Sequence, residues 1–295
     1  MNKKQFVVGS TVVLVLAGGL VGHDANAAKK KQVLAVGSTA LQPLASQAAE
    51  MYGEKHPGVS VVVQGGGSGA GLSQVGKGGV TIGNYEIFAS QKAGVDAKKL
   101  TDHKVAVVGI TPVVNKNVPV KSLTKAELRD IFTGKITNWK DVGGKYEDIV
   151  LVNRAQGSGT RFTFEHGVLD GKSAKTSQEQ DDNGAVQKIV STTPGAISYL
   201  TFSYTTGPNA KGIKTVAIDK VKPTDKNVAS NKWQIWAYEH MYTTKKTDKN
   251  TKSYIKLVQS KTMKSTIKKL GYIPVSDMKV TKDADGDVKK NLTIR

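Results

Sequence analysis

Three short stretches set glycines and small hydroxyl residues where an apolar run gives way to a helical pattern. They are "GST" at Gly37–Thr39, "GGGSGAG" at Gly65–Gly71 and "RAQGSGTR" at Arg154–Arg161. The first backbone N–H groups of a helix have no intrahelical partner, and the peptide dipoles make that end positive. Each start is therefore an anion site in its own right. Ser68 and Ser158 mark two of these starts and Thr39 the third. Taken singly, each loop reads as a plain helix cap. Converging, they would offer N–H and hydroxyl donors to one small anion, with Arg154 supplying a full positive charge.

Nucleotide chemistry competes for the same residues. "GLSQVGKG" at Gly71–Gly78 nearly fits the P-loop pattern, but position 78 is glycine, so the hydroxyl that would hold magnesium is missing. Lys77 also falls at the end of the expected helix and not at its start. Gly65, Gly67 and Ala70 satisfy the dinucleotide pattern G-x-G-x-x-A, with Glu86 about 20 residues on as a ribose-binding acid would be. An export signal argues against it, because free dinucleotide is scarce outside the cell. The five histidines show no ligand spacing. Asp283, Asp285 and Asp287 imitate a calcium loop, but the glycine is misplaced and the twelfth position lacks glutamate. No metal and no cofactor is expected.

The elements that must position these loops follow from pattern. "KQVLAVG", "VSVVVQ" and "GVTIGNYE" read as strands, separated by a helix in "STALQPLASQAAEMYGEKH" and a shorter one in "SGAGLSQVGKG". Ser38 or Thr39 is the expected N-cap of the first helix. This βαβαβ order implies a parallel sheet with right-handed crossovers. "VAVVGITPVVN" is too long and apolar for one ordinary strand and suits a passage between two lobes. Thr124 and Glu127 have capping-box spacing. "EDIVLVNRA", "QGSGTRFTFEHGVL", "DDNGAVQKIVSTTPG" and "AISYLTFSY" repeat the alternation as strand, helix, helix and strand. "TKSYIKLVQSKTMKSTIKKLG" reads as one amphipathic surface helix with Ile255, Val258, Ile267 and Leu270 inward. A terminal hairpin turns at Asp285-Gly286.

Residues 1–27 read as a secretory signal, with Lys3 and Lys4 before an apolar run and "ANA" at its end. With no cysteine in the chain, neither a disulfide nor a lipid-modified cysteine is expected, so the protein is placed outside the cell or at its surface without a lipid anchor. The net charge is +19, and residues 245–295 hold 14 basic against 5 acidic residues. Such a face attracts polyanions; outside the membrane these are wall polymer or lipid, not nucleic acid.

The blocks "GSTALQPL", "QGGGSGAG", "LTKAELRDIFTGKITNWKDVGG", "RAQGSGTRFTF" and "TPGAISYL" together resemble the phosphate-binding proteins of bacterial phosphate ABC transporters, the PstS family, from about Val33 to Ile273. The resemblance implies a two-lobed α/β solute-binding protein fold, with a two-strand hinge and the ion in the cleft between lobes. On this chain the lobes would be 28–109 plus 237–295, and 110–236. It also implies a monomer that delivers inorganic phosphate to a membrane permease. The ion ligands it implies are Thr39 with the backbone at Ala40, then Ser68, Glu86, Arg154, Ser158, Gly159 and Thr160. Two departures stand out: the family's "GxSD" is "GNYE" here, and Gln156 replaces the acid that often follows the arginine. Two other readings stay open: a secreted phosphatase using the same donors, and a surface adhesin whose phosphate site has weakened.

Overall fold

A computed structural model describes residues 31–292; the expected signal at 1–27 lies outside them. The first βαβαβ unit forms as its pattern requires: β1 (Lys31–Gly37), α1 (Gln42–Lys55), β2 (Val59–Gly66), α2 (Ser68–Gly76) and β3 (Ile82–Tyr85). β1 pairs in parallel with both β2 and β3. Then comes β4 (Leu100–Asn115), a strand of 16 residues. The second half runs β5 (Ser122–Leu123), α3 (Lys125–Phe132), β6 (Val150–Arg154), α4 (Gly159–Val168), β7 (Gln178–Gln180), α5 (Asn183–Thr192), β8 (Ala196–Thr201), β9 (Ile213–Thr215), β10 (Ala217–Ile218) and α6 (Asp225–Ala229). The chain returns through β11 (Trp236–Thr244) to α7 (Lys249–Val258), α8 (Lys264–Lys269) and the hairpin β12 (Val280–Lys282) and β13 (Val288–Lys290).

One sheet, ordered β2-β1-β3-β11-β4-β8-β6-β7 with β9 also on β4, carries both halves. β4 joins them by changing neighbours. From Leu100 to Gly109 it pairs antiparallel with β11, and from Ile110 onward with β8. Its length and apolarity follow from this: residues 105–115 are buried throughout because both halves pack on them. Each half has its own core. Leu41, Leu44, Ile82, Met241, Tyr254 and Ile267 belong to one, and Phe132, Trp139, Phe164, Tyr199 and Trp233 to the other.

Two helix boundaries differ from expectation. α1 begins at Gln42 with Leu41 at the N-cap and Pro43 in the first turn, where a missing N–H costs nothing. Ser38, Thr39 and Ala40 form the turn ahead of it, with the Leu41 N–H donating to Ser38 Oγ at 3.4 Å. Neither Ser38 nor Thr39 is the cap. The amphipathic segment near the C-terminus is two helices, broken after Val258. Nine residues of unbroken helix, at about 100° each, would turn Val258 and Ile267 to opposite faces. With the break, Ile255, Val258 and Ile267 are all buried in one core, and Leu270 packs against it half-buried. The capping box at Thr124 and Glu127 and the Asp285-Gly286 hairpin form as the sequence indicates.

Candidate anion-binding site

The three glycine-rich starts meet at the seam between the two halves of the sheet. Ser68 is the first residue of α2, behind Gly67 at φ 82°, a conformation glycine adopts without strain. Gly71 has a different reason to be glycine: a Cβ there would lie 2.2 Å from the Val36 carbonyl oxygen. The missing side chain lets α2 rest on β1. Opposite, Ser158 caps α4 and accepts from the Arg161 N–H at 3.2 Å, so Gly159 and Thr160 open that helix. The halves touch directly here, with the Gly69 N–H donating to the Gly157 carbonyl at 3.0 Å.

Arg154 ends β6 with its guanidinium in the seam, and the residue is 1% exposed. Its Nε donates to the Gln180 carbonyl at 3.2 Å and its Nη2 to the Asp181 carbonyl at 2.7 Å. Nη1 is buried and has no partner. The carbonyls of 180 and 181 do the orienting that an acid at position 156 would otherwise share. Burial pushes the Arg154 pKa down, and the facing charge of Glu86 pulls it back up. Thr39 Oγ1 is a hub for the opposite half: Arg154 Nη2 donates to it at 3.4 Å and Asn183 Nδ2 at 3.2 Å. With those lone pairs engaged by donors, the hydroxyl hydrogen of Thr39 is left to donate. The Tyr204 hydroxyl donates to the Thr39 carbonyl at 3.0 Å, and the Tyr272 hydroxyl to that of Ala40.

Glu86 follows β3 at 1% exposure. Thr160 Oγ1 donates to its Oε2 at 2.6 Å, while Oε1 is buried without a partner. Burial raises its pKa to about 7, against the Thr160 hydrogen bond and the Arg154 charge, which both lower it. The unexpected tyrosine before it, Tyr85, packs in a cluster with Leu72, Val75 and Tyr242 and also borders a small cavity with Gly157 and Ser158. That departure is absorbed by packing. A cavity of about 260 Å³ opens beside Glu86 between Phe88, Phe162, Trp236 and Tyr238; Thr39, Ser68 and Arg154 do not line it.

The structure thus brings Thr39, Ala40, Ser68, Glu86, Arg154, Ser158, Gly159 and Thr160 together, all buried. Sequence reasoning missed Asn183, Tyr204 and above all Glu239, a fully buried acid on β11 that accepts from Ser38 Oγ at 3.4 Å. Its one sequence signal is an acid within the otherwise apolar and aromatic "WAYEHMY".

Chemically, the seam offers an unspent guanidinium NH2 with two N–H donors, free hydroxyls, two helix starts and two buried acids, which suits a small oxyanion carrying a proton. Known proteins agree. The chain matches the PBP superfamily domain over residues 22–262. It is 49% identical over 251 residues to the phosphate-binding protein PstS of Bacillus subtilis, covering 85% of this chain and 83% of that one. The Staphylococcus aureus PstS is 28% identical over 277 residues, covering 88% and 84%. A chain from Clostridium perfringens solved with bound phosphate superposes with a TM-score of 0.76 at 31% identity, covering 83% of this chain and all of that one. An ABC-type phosphate transport receptor from Vibrio cholerae gives 0.65 at 29%, covering 82% and 99%. The chain belongs to the PBP superfamily and, within it, to the PstS phosphate-binding proteins.

Proposed function

We propose that this protein captures inorganic phosphate between its two lobes and delivers it to a membrane ABC permease, performing no chemistry on it. The lobes divide where β4 changes partners, giving 110–236 as one and the flanking segments as the other. The observation that carries the reading is Arg154: a buried guanidinium tied by two carbonyls, with Nη1 unpartnered among hydroxyls and helix starts. Thr39, Ala40, Ser68, Glu86, Arg154, Ser158, Gly159 and Thr160 are its proposed ligands. The adhesin reading, with a weakened site, is not favoured, since the donors of all three loops still converge. Equilibrium dialysis of stripped protein against labelled phosphate tests capture, and phosphate released from a generic phosphoester would contradict the carrier role.

Glu86 is proposed as the selector against sulfate. Phosphate near neutral pH carries a proton on one oxygen and sulfate carries none, while an ionised carboxylate only accepts hydrogen bonds. Sulfate would meet like charge and an unpaired lone pair. Glu86→Gln is expected to retain some phosphate binding and gain sulfate binding at least tenfold. Calorimetry with both ions decides it, and an unchanged ratio would remove Glu86 from this role. The raised pKa adds a sign: below about 7 the Glu86 carboxyl is protonated and donates, so wild-type sulfate binding should strengthen as pH falls through that value.

The lysine-rich C-terminal face is proposed to hold the protein near anionic wall polymer or lipid. Lys252, Lys256, Lys261 and Lys269 are exposed there. Binding to anionic vesicles should fall steeply as salt rises from low to physiological strength, since exposed charges are screened within about 8 Å. Salt-independent attachment would show that charge is not the cause.

A further inference from the structure

β11 pairs antiparallel with β3 through Tyr242–Gly83, Met241–Asn84 and His240–Tyr85. β3 ends at Tyr85 and the chain bends at Glu86, while Glu239 adjoins His240 on β11, so the two acids are neighbours just past the end of this pairing and each feels the other's charge. Both residues are at most 1% exposed, and each keeps a buried Oε1 without a hydrogen-bond partner among the described residues. Their surroundings differ. Glu86 has the short Thr160 bond and the Arg154 charge to hold it ionised. Among the described residues, Glu239 has only the long bond from Ser38. The ionisable groups that face it are Glu86, Tyr204 and Tyr272, and among the described residues no lysine or arginine forms an ion pair with it.

Two neighbouring, buried carboxylates do not both stay ionised, and the proton settles on the one with the poorer support. We propose that Glu239 stores the proton of this acid pair: it is neutral in the loaded cleft, and when ionised beforehand it takes up one proton as phosphate enters. Glu239 is a positioning residue in this scheme. By staying neutral it leaves Glu86 as the one charged acceptor and keeps a second negative charge away from the dianion. The proposal rests on the phosphate reading above.

Burial and the Glu86 charge both push the Glu239 pKa well up. A dianion beside it pushes the same way, so binding is linked to proton uptake. The Glu239 contribution to affinity is therefore complete below its pKa in the free protein and is lost as pH rises above it, by up to about tenfold per pH unit.

The test is phosphate calorimetry in steps from about pH 7.5 to 10.5 in buffers of differing ionisation enthalpy, where phosphate is mostly dianion. Wild type is expected to take up about one proton per phosphate once the pH exceeds the pKa of free Glu239, and E239Q none. Over the same steps the wild-type affinity should drop at least tenfold, while that of E239Q changes by less than about threefold. Lys282, with a pKa lowered by burial to about 8, titrates in both proteins and cancels in the comparison. Tight binding with no proton uptake by wild type overturns the proposal, whether or not E239Q folds. Equal uptake by wild type and folded E239Q overturns it too. No phosphate binding by wild type overturns the functional reading beneath it.

Discussion

Arg154→Ala is expected to weaken phosphate binding by roughly 150- to 4000-fold. Removing one partner of a buried charge pair typically costs ~3–5 kcal/mol, and each 1.4 kcal/mol is about tenfold. The loss is large because the guanidinium is the buried cation that faces Glu86. Arg161, the other buried arginine of the seam, is already spent on Glu165 at 2.8 Å and Glu179 at 2.6 Å. The substitution also takes a donor from the Asp181 carbonyl, while that of Gln180 keeps the Ala155 N–H at 3.0 Å, so thermal unfolding of the unliganded variant must accompany the titration. Arg154→Lys separates charge from geometry: it keeps the cation and loses the forked hold on two carbonyls. A loss below about tenfold in a folded Arg154→Ala protein would place Arg154 outside the site.

The second large effect is steric. Gly159 opens α4 against the opposite lobe, and a Cβ there would lie 2.6 Å from Glu86 Cβ and 2.9 Å from Ser68 Oγ. Glu86 Cβ is next to the main chain and does not swing aside as a side-chain tip does. Gly159→Ala must therefore wedge the two halves apart at the place where both present proposed ligands. Overpacking of this kind costs ~1–3 kcal/mol, or about 5- to 150-fold in affinity. Because the clash exists only when the lobes are closed, the unliganded variant should unfold within a few degrees of wild type. Wild-type affinity in Gly159→Ala would mean that phosphate is held without this closure.

Much of the site was readable because it lies in contiguous loops. Ser158, Gly159 and Thr160 belong to one helix start whose cap, glycine and hydroxyl are adjacent in sequence, and the same is true around Ser68. Glu239 was not readable in this way. Its meaning depends on β11 lying antiparallel between β3 and β4, a register set by contacts far apart in sequence, as between Tyr85 and His240. Thr39 was read as a ligand, but its first helix was started too early. Its hydroxyl faces Arg154 and Asn183 across the seam, a tertiary use that outcompetes the local cap. The break after Val258 escaped for a related reason: helical spacing was counted through it, though Val258 and Ile267 share a core only if the helix stops between them. By contrast, the length of β4 was a sound signal, since an apolar strand of that length has to be buried by more than one lobe.

The central claim is that the closed seam holds one phosphate ion. Calorimetric titration of phosphate-stripped wild-type protein near pH 7.5 tests it most directly, repeated in the presence of excess sulfate. The account predicts saturation at one phosphate per chain, with an affinity that sulfate leaves within about twofold. Absence of saturable binding, or displacement of phosphate by sulfate at comparable concentration, would contradict it.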